Sequence, residues 1–209
     1  MKNIKFIQNY LFIFGVSLAL SLSTLSNANA VVTEQTAVFA GGCFWGVDAV
    51  FKHVKGVDEV LSGYADGVAA TAHYEQVSNG NTGHAESVRV SFNPTKVSYQ
   101  QLLQVFMHVA HDPTQLNRQG PDSGSQYRSA IFYNNPEQQK LAQSYINELN
   151  ATHAFSKPIV TQVTPLKTFF SAEEYHQNYL ARHPFDTYIL ANDKPKLERL
   201  HSQFQALYQ

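Results

Sequence analysis

The chain has 209 residues, with 15 basic and 16 acidic side chains and a net charge of −1. That balance, with no basic run longer than two residues, excludes an electrostatic nucleic-acid-binding surface as its main feature. A single cysteine, Cys43, rules out an internal disulfide, so the lone thiol is either an inert core side chain or a reactive group.

Taken from the N-terminus, Lys2 and Lys5 precede an uncharged apolar run from Phe6 to Leu22, and Ala28-Asn29-Ala30 has the small-x-small form that a signal peptidase accepts. Residues 1–30 are therefore expected to be a signal peptide cut after Ala30, making the protein exported, periplasmic or secreted. Gln8, Asn9 and Tyr10 interrupt the run and speak against a retained membrane anchor. Residues 31–209 are expected to form a single domain with one core and no stable membrane association.

Thr36–Ala40 reads as a short strand that breaks at Gly41-Gly42, after which Val47, Val50, Phe51 and Val54 recur at helical spacing. Cys43 therefore belongs to a strand-to-helix junction. The segment 85–92 alternates, with Val88, Val90 and Phe92 on one face and Ser87, Arg89 and Ser91 on the other; parity puts Glu86 on the apolar face. Ser98 and Gln101 have capping-box spacing before a helix carrying Leu102, Val105, Phe106 and Val109, which must stop before Pro113. Residues 112–128 lack periodicity and are rich in turn formers, the signature of a binding loop. A strand over 129–133, a helix from Pro136 with Ala142, Tyr145, Ile146 and Leu149, and a strand carrying Ile159, Thr161 and Val163 follow. Ser171 and Glu174 suggest a second capping box before a helix over 175–183, and a last helix carries Leu197, Leu200, Phe204 and Leu207. Interleaved strands and helices imply a sheet covered by helices, in the α/β or α+β class.

Chemistry concentrates at Gly41-Gly42-Cys43-Phe44-Trp45-Gly46. The glycines permit a tight turn, and the free N–H groups and positive end of the following helix favour thiolate, so Cys43 is expected to be acidic. Glu86, on an otherwise apolar strand face, is expected to keep its proton near neutrality and so to serve as a general acid. His108, His111 and Asp112 lie close in sequence, but three residues of that spacing do not complete a zinc site, and no metal is expected.

Four blocks carry a resemblance. Gly42-Cys43-Phe44-Trp45-Gly46, Tyr74-Glu75-Gln76-Val77, Thr82-Gly83-His84-Ala85-Glu86 and Gly124-Ser125-Gln126-Tyr127-Arg128-Ser129 are similar, in order and spacing, to the motifs of the A-class peptide methionine sulfoxide reductases. The resemblance implies an α+β fold: a two-layer sandwich with a mixed sheet covered by helices, around a ferredoxin-like core. It also implies a peptide-methionine (S)-S-oxide reductase of the kind that repairs oxidised methionine. Cys43 would attack the sulfoxide sulfur, Glu86 would protonate its oxygen, and Tyr74 and Tyr127 would hydrogen-bond that oxygen. Phe44 and Trp45 would hold the S-methyl group, and Asp122 would orient the substrate.

The chain departs from the family's pattern at Asp66-Gly67, where members carry Gly-Gly, and at Thr71-Ala72-His73-Tyr74, where many read Asn-Pro-Thr-Tyr. It also lacks the further C-terminal cysteines of many members, like the family's single-cysteine forms. No bound cofactor is implied; an external thiol reductant, thioredoxin-like, glutaredoxin-like or a small thiol, would recycle a Cys43 sulfenic acid. Two rival readings remain open. A secreted thiol hydrolase would need an essential histidine base, for which His84, His111 and His176 are candidates. A non-catalytic binding module would simply bury the cysteine.

Overall fold

Alternation of apolar side chains builds the sheet that carries the molecule. In the computed structural model, which describes residues 33–209, β1 (Gln35–Gly41) sends Ala37 and Phe39 to one face and Val38 and Ala40 to the other. β3 (Ala85–Phe92) does the same, placing Val88, Val90 and Phe92 beside Phe39. Between them in sequence come α1 (Phe44–Lys52) and β2 (Val57–Ala65). The chain then runs through α2 (Tyr74–Val77), α3 (Tyr99–Val105), a small ribbon of β4 (Arg118–Gln119) and β5 (Asp122–Ser123), and β6 (Ser129–Tyr133). It closes with α4 (Pro136–Ala151), β7 (Gln162–Pro165), β8 (Phe169–Ser171), α5 (Tyr179–Arg182) and α6 (Lys194–Gln203).

The large sheet has the order β7-β6-β1-β3-β2-β8. Its central four strands, β6-β1-β3-β2, are antiparallel throughout, and with α1 and α3 they trace β-α-β-β-α-β, the ferredoxin-like connection. β7 adds in parallel to β6, so the sheet is mixed, and β8 adds antiparallel to β2. The fold is thus α+β, as expected. The main core lies between the sheet and the helices; Phe39 is fully buried there and stacks on Phe51 and Phe106 at centroid separations of 5.1 and 4.8 Å. The other face is thinner: Val38, Ala40, Ala130 and Phe132 are covered by Leu166 and Phe169.

Local signals explain several boundaries. Ser98 Oγ accepts from Gln101 N at 3.2 Å and Gln101 Oε1 accepts from Ser98 N at 2.9 Å, the reciprocal cap that starts α3. That helix continues as a π-turn over Phe106–Ala110 and ends before Pro113. Asn135 caps α4 through Gln138 N at 2.9 Å. Other expectations are corrected. Ser171 ends β8 and caps nothing; Glu173 precedes only a 3-10 turn, Glu174–His176, so the helix expected over 175–183 shrinks to α5. The strand expected around Ile159–Val163 starts three residues later, where it pairs with β6. Phe204 and Leu207 fall beyond α6. The expected signal peptide, residues 1–30, lies outside the described residues, among which no helix is long and apolar enough to cross a membrane.

Because Phe39 is completely enclosed by aromatic neighbours, Phe39→Ala should cost about 3–5 kcal/mol. Urea unfolding followed by circular dichroism should detect it; a loss under about 1 kcal/mol would mean that this stack does not hold the sheet to its helices.

Candidate active site

Two neighbouring chain segments bring Cys43 and Glu86 to one point. β1 ends at Gly41, and Gly42, at φ +86°, turns the backbone sharply so that Cys43 becomes the N-cap of α1. A side chain at Gly42 would collide with Gln119, whose amide is held at both ends by the Asp112 backbone, at 3.0 and 3.1 Å. The loop expected over 112–128 is therefore pinned against the cysteine turn, and it delivers Asp122 and Tyr127. From β3, Glu86 reaches the same point: Phe44 N, the first free donor of α1, hydrogen-bonds Glu86 Oε2 at 3.2 Å.

Around them lies a cavity of about 180 Å³ lined by Cys43, Phe44, Trp45, Tyr74, Glu86, Asp122, Tyr127 and Tyr188. All seven residues singled out in the sequence meet there. Larger grooves exist, including one of about 610 Å³ beside Tyr99 and Gln138, but none of them holds the thiol. Trp45 is fixed from two sides. Its indole ring stacks on Tyr179 at 3.6 Å, and Nε1 donates to His176 Nδ1 at 3.1 Å. An indole N–H can only donate, so the His176 proton sits on Nε2. Tyr188, not foreseen, meets Trp45 edge-on and donates to Asp122 Oδ2. Glu173, also unforeseen, accepts from Tyr64 OH at 2.7 Å and Tyr74 N at 2.9 Å, setting the position of α2. Neither segment offered a local signal, since Glu173 and Tyr188 acquire meaning only through partners far away in sequence.

The electrostatics divide the two reactive groups. Burial pushes the Glu86 carboxyl up to about 8; the Phe44 N–H pulls the other way, and Asp122 adds to the rise. Glu86 is thus a protonated acid at neutral pH, with Oε2 engaged by α1 and its other oxygen left for the cavity. Cys43 contradicts the expectation of an acidic thiol. Its proton affinity is raised well above the ordinary value by burial first, then by Glu86 and Asp193, outweighing the Trp45 N–H and Lys196. The helix start does favour thiolate, but desolvation of a fully enclosed sulfur is the larger effect.

The histidines take other parts. His84 Nδ1 accepts from Gly67 N at 3.2 Å, leaving Nε2 to the Val68 carbonyl at 3.1 Å. His111 spends both nitrogens on Phe106 O and Ser129 Oγ, and His108 pairs with Tyr145 OH. None of these lines the cavity, and His176, the remaining candidate base of a thiol hydrolase, has its acceptor nitrogen committed to Trp45. The Asp112 carboxylate caps Thr114, and no group of three or more His, Cys, Asp or Glu side chains among the described residues is disposed around a metal ion. Asp66, where a glycine was expected from the resemblance, adopts the left-handed conformation at φ +78° with its carboxylate 3.6 Å from Arg128.

Residues 35–208 match the model of the family described as peptide methionine sulfoxide reductase. The chain belongs to this family. It is 55% identical to peptide methionine sulfoxide reductase MsrA 2 of Mesorhizobium japonicum over 84% of this chain and 90% of that protein. It is 50% identical to MsrA 2 of Synechocystis sp., over 81% and 79% respectively. Among solved structures it is similar to reduced Mxr1 from Saccharomyces cerevisiae, with TM-score 0.68 and 33% identity over 73% of this chain and 87% of that one. Methionine sulfoxide reductase A of Corynebacterium diphtheriae gives TM-score 0.63 and 34% identity, over 72% and 76%.

In this reductase the neutral Glu86 has a thermodynamic signature. Its folded value of about 8 exceeds the ordinary 4.5, so between those values the folded chain keeps a proton that the unfolded chain has released, and stability falls as pH rises across the window. The melting temperature of Glu86→Gln relative to the parent should therefore improve from pH 5 to pH 8. An identical difference at both pH values would show that Glu86 is ionised in the folded protein.

Proposed function

We propose that this chain reduces methionine S-sulfoxide, free or within proteins, to methionine, and that Cys43 is the nucleophile and Glu86 the acid. The observation that carries the residue assignment is their convergence on one small cavity with opposite proton requirements. The Cys43 thiolate attacks the sulfoxide sulfur and forms an S–S bond while the proton of Glu86 goes to the sulfoxide oxygen; that hydroxyl then passes to the Cys43 sulfur as the substrate's S–O bond and the S–S bond break, leaving a sulfenic acid on Cys43 and releasing methionine. Tyr74 and Tyr127 stabilise the charge growing on the oxygen; no described protein group occupies their hydroxyls, whereas those of Tyr64, Tyr145 and Tyr188 are committed elsewhere. Phe44 and the doubly braced Trp45 form the wall for the S-methyl group, and Asp122, held by Tyr188, orients the substrate.

The reactive state, thiolate with carboxylic acid, holds one proton fewer than the resting state of thiol with carboxylic acid, and as many as the competing state of thiol with carboxylate. Its population grows as the site loses its first proton near pH 8 and declines when the second is lost. Only one cysteine exists, so the sulfenic acid is returned to thiol by two external thiol groups, which become a disulfide with release of water. The donor is a thioredoxin-like or glutaredoxin-like protein or a small thiol. Lys2 and Lys5, the apolar run 6–22 and Ala28-Asn29-Ala30 support export and a mature catalytic domain from Val31.

Three experiments test this reading. With dithiothreitol as reductant, methionine S-sulfoxide should be consumed and the R epimer spared. Cys43→Ser should abolish turnover, and Glu86→Gln should slow kcat/KM by about 10²–10⁴-fold and erase the limb near pH 8. A single turnover without reductant should add one oxygen to Cys43 by mass spectrometry; an unmodified thiol after methionine has formed would refute the mechanism. For export, N-terminal sequencing of protein from the periplasm or medium should begin at Val31, and full-length chain confined to the cytoplasm would exclude it.

A further inference from the structure

Beneath the first turn of α1 lies a buried ion pair that the chemistry above does not use. Lys196 Nζ donates to Asp193 Oδ1 at 3.0 Å; Asp193 is completely buried and Lys196 is 8% exposed. The pair presses directly on Gly46, so closely that a Cβ there would overlap both the carboxylate and the ammonium. Gly46 follows Cys43 by three residues, which places the pair one helical turn below the sulfur. Asp193 Oδ2 has no hydrogen-bond partner among the described residues, although it is fully enclosed.

Such an arrangement is expensive. Desolvating two opposite charges commonly cancels their attraction, and apolar side chains of the same volume would hold α6 against α1 at least as well. An unpartnered carboxylate oxygen adds a further cost. Packing alone does not account for it, whereas its position does: an anion and a cation are held against Gly46 in the first turn of α1, outside the set of residues that line the cavity.

We infer that Asp193 and Lys196 are positioning residues whose opposed charges, fixed against Gly46 in the first turn of α1, balance one another at the Cys43 sulfur before substrate arrives. This inference rests on Cys43 being the nucleophile. The two act on the sulfur with opposite sign, the carboxylate opposing a thiolate and the ammonium favouring it. The other ionisable groups facing the site are Glu86 on β3, Asp122 on β5, Tyr188 before the π-turn Ile189–Asp193, and Tyr74 and Tyr127 across the cavity. His111 shares a groove with Lys196, and the charge of Asp186 acts on Asp193. None of these is an alternative partner in a hydrogen bond to either member of the pair.

The test is the pH dependence of Cys43 alkylation by iodoacetamide in the full-length protein, followed from pH 7 to 11. This readout needs no sulfoxide, so it separates failure of this inference from failure of the reductase mechanism. Asp193→Asn, close to isosteric, should lower the thiol midpoint and speed alkylation at pH 8 several-fold. Lys196→Met should raise the midpoint and lower kcat/KM with S-sulfoxide by about tenfold. The double variant should return towards the parent's midpoint and melt no lower than either single variant. Shifts in the same direction, or an unmoved midpoint alongside a lower melting temperature, would reduce the pair to a structural contact. Should Lys196→Met fail to fold, Asp193→Asn decides alone: a midpoint that does not fall overturns the inference.

Discussion

The contact between Phe44 N and Glu86 Oε2 is the constraint on which the rest of the site depends. A helix start needs an acceptor for its first free donor, and a carboxyl on the apolar face of β3 needs a partner for one of its oxygens. Each meets the other's requirement at 3.2 Å. The contact binds the Cys43 turn to the strand carrying Glu86, so the separation of the two side chains follows from how β1 and β3 pair. Their register, with Phe39 opposite Val88, leaves Glu86 just beyond the end of the ladder, beside the turn.

Burial then does the chemical tuning. The same enclosure raises the proton affinity of Glu86 and of Cys43, but with different consequences. For the acid, it secures a proton that would otherwise be lost at neutral pH. For the thiol, it suppresses the nucleophile in the resting enzyme, against the pull of the α1 terminus. The helix dipole and free N–H groups favour thiolate by an amount that fades within one turn and is countered by a fully desolvated sulfur with carboxylates nearby. Reactivity at such a centre is a property of the assembled pocket and not of the helix start alone.

The aromatic wall shows how distant segments complete the site. Trp45 comes from the cysteine motif, yet its plane is set by Tyr179 and its nitrogen by His176, both more than a hundred residues away. Asp122 is likewise held by Tyr188. The C-terminal quarter, which carries no cysteine, is thereby built into the pocket as scaffold: it braces the wall and anchors the substrate-side acid, and Asp193 and Lys196 support the helix start from below.

Local chemistry made much of this legible in the chain. The period-two run at 85–92 located β3 and the face of Glu86, the Ser98–Gln101 box located α3, and the glycine frame located Cys43 at a strand-to-helix turn, because each signal arises within a few residues of itself. β2 and β8 escaped because their sequences do not alternate cleanly and they become strands only by pairing with each other and with β3. Ser171 and Glu174 had the spacing of a cap, but pairing with Gly63 held Ser171 in a strand instead. The direction of the Cys43 shift, the bracing of Trp45 and the pair under Gly46 were decided by tertiary structure alone. Desolvation and through-space charge depend on which groups are brought together, and spacing along the chain does not encode that.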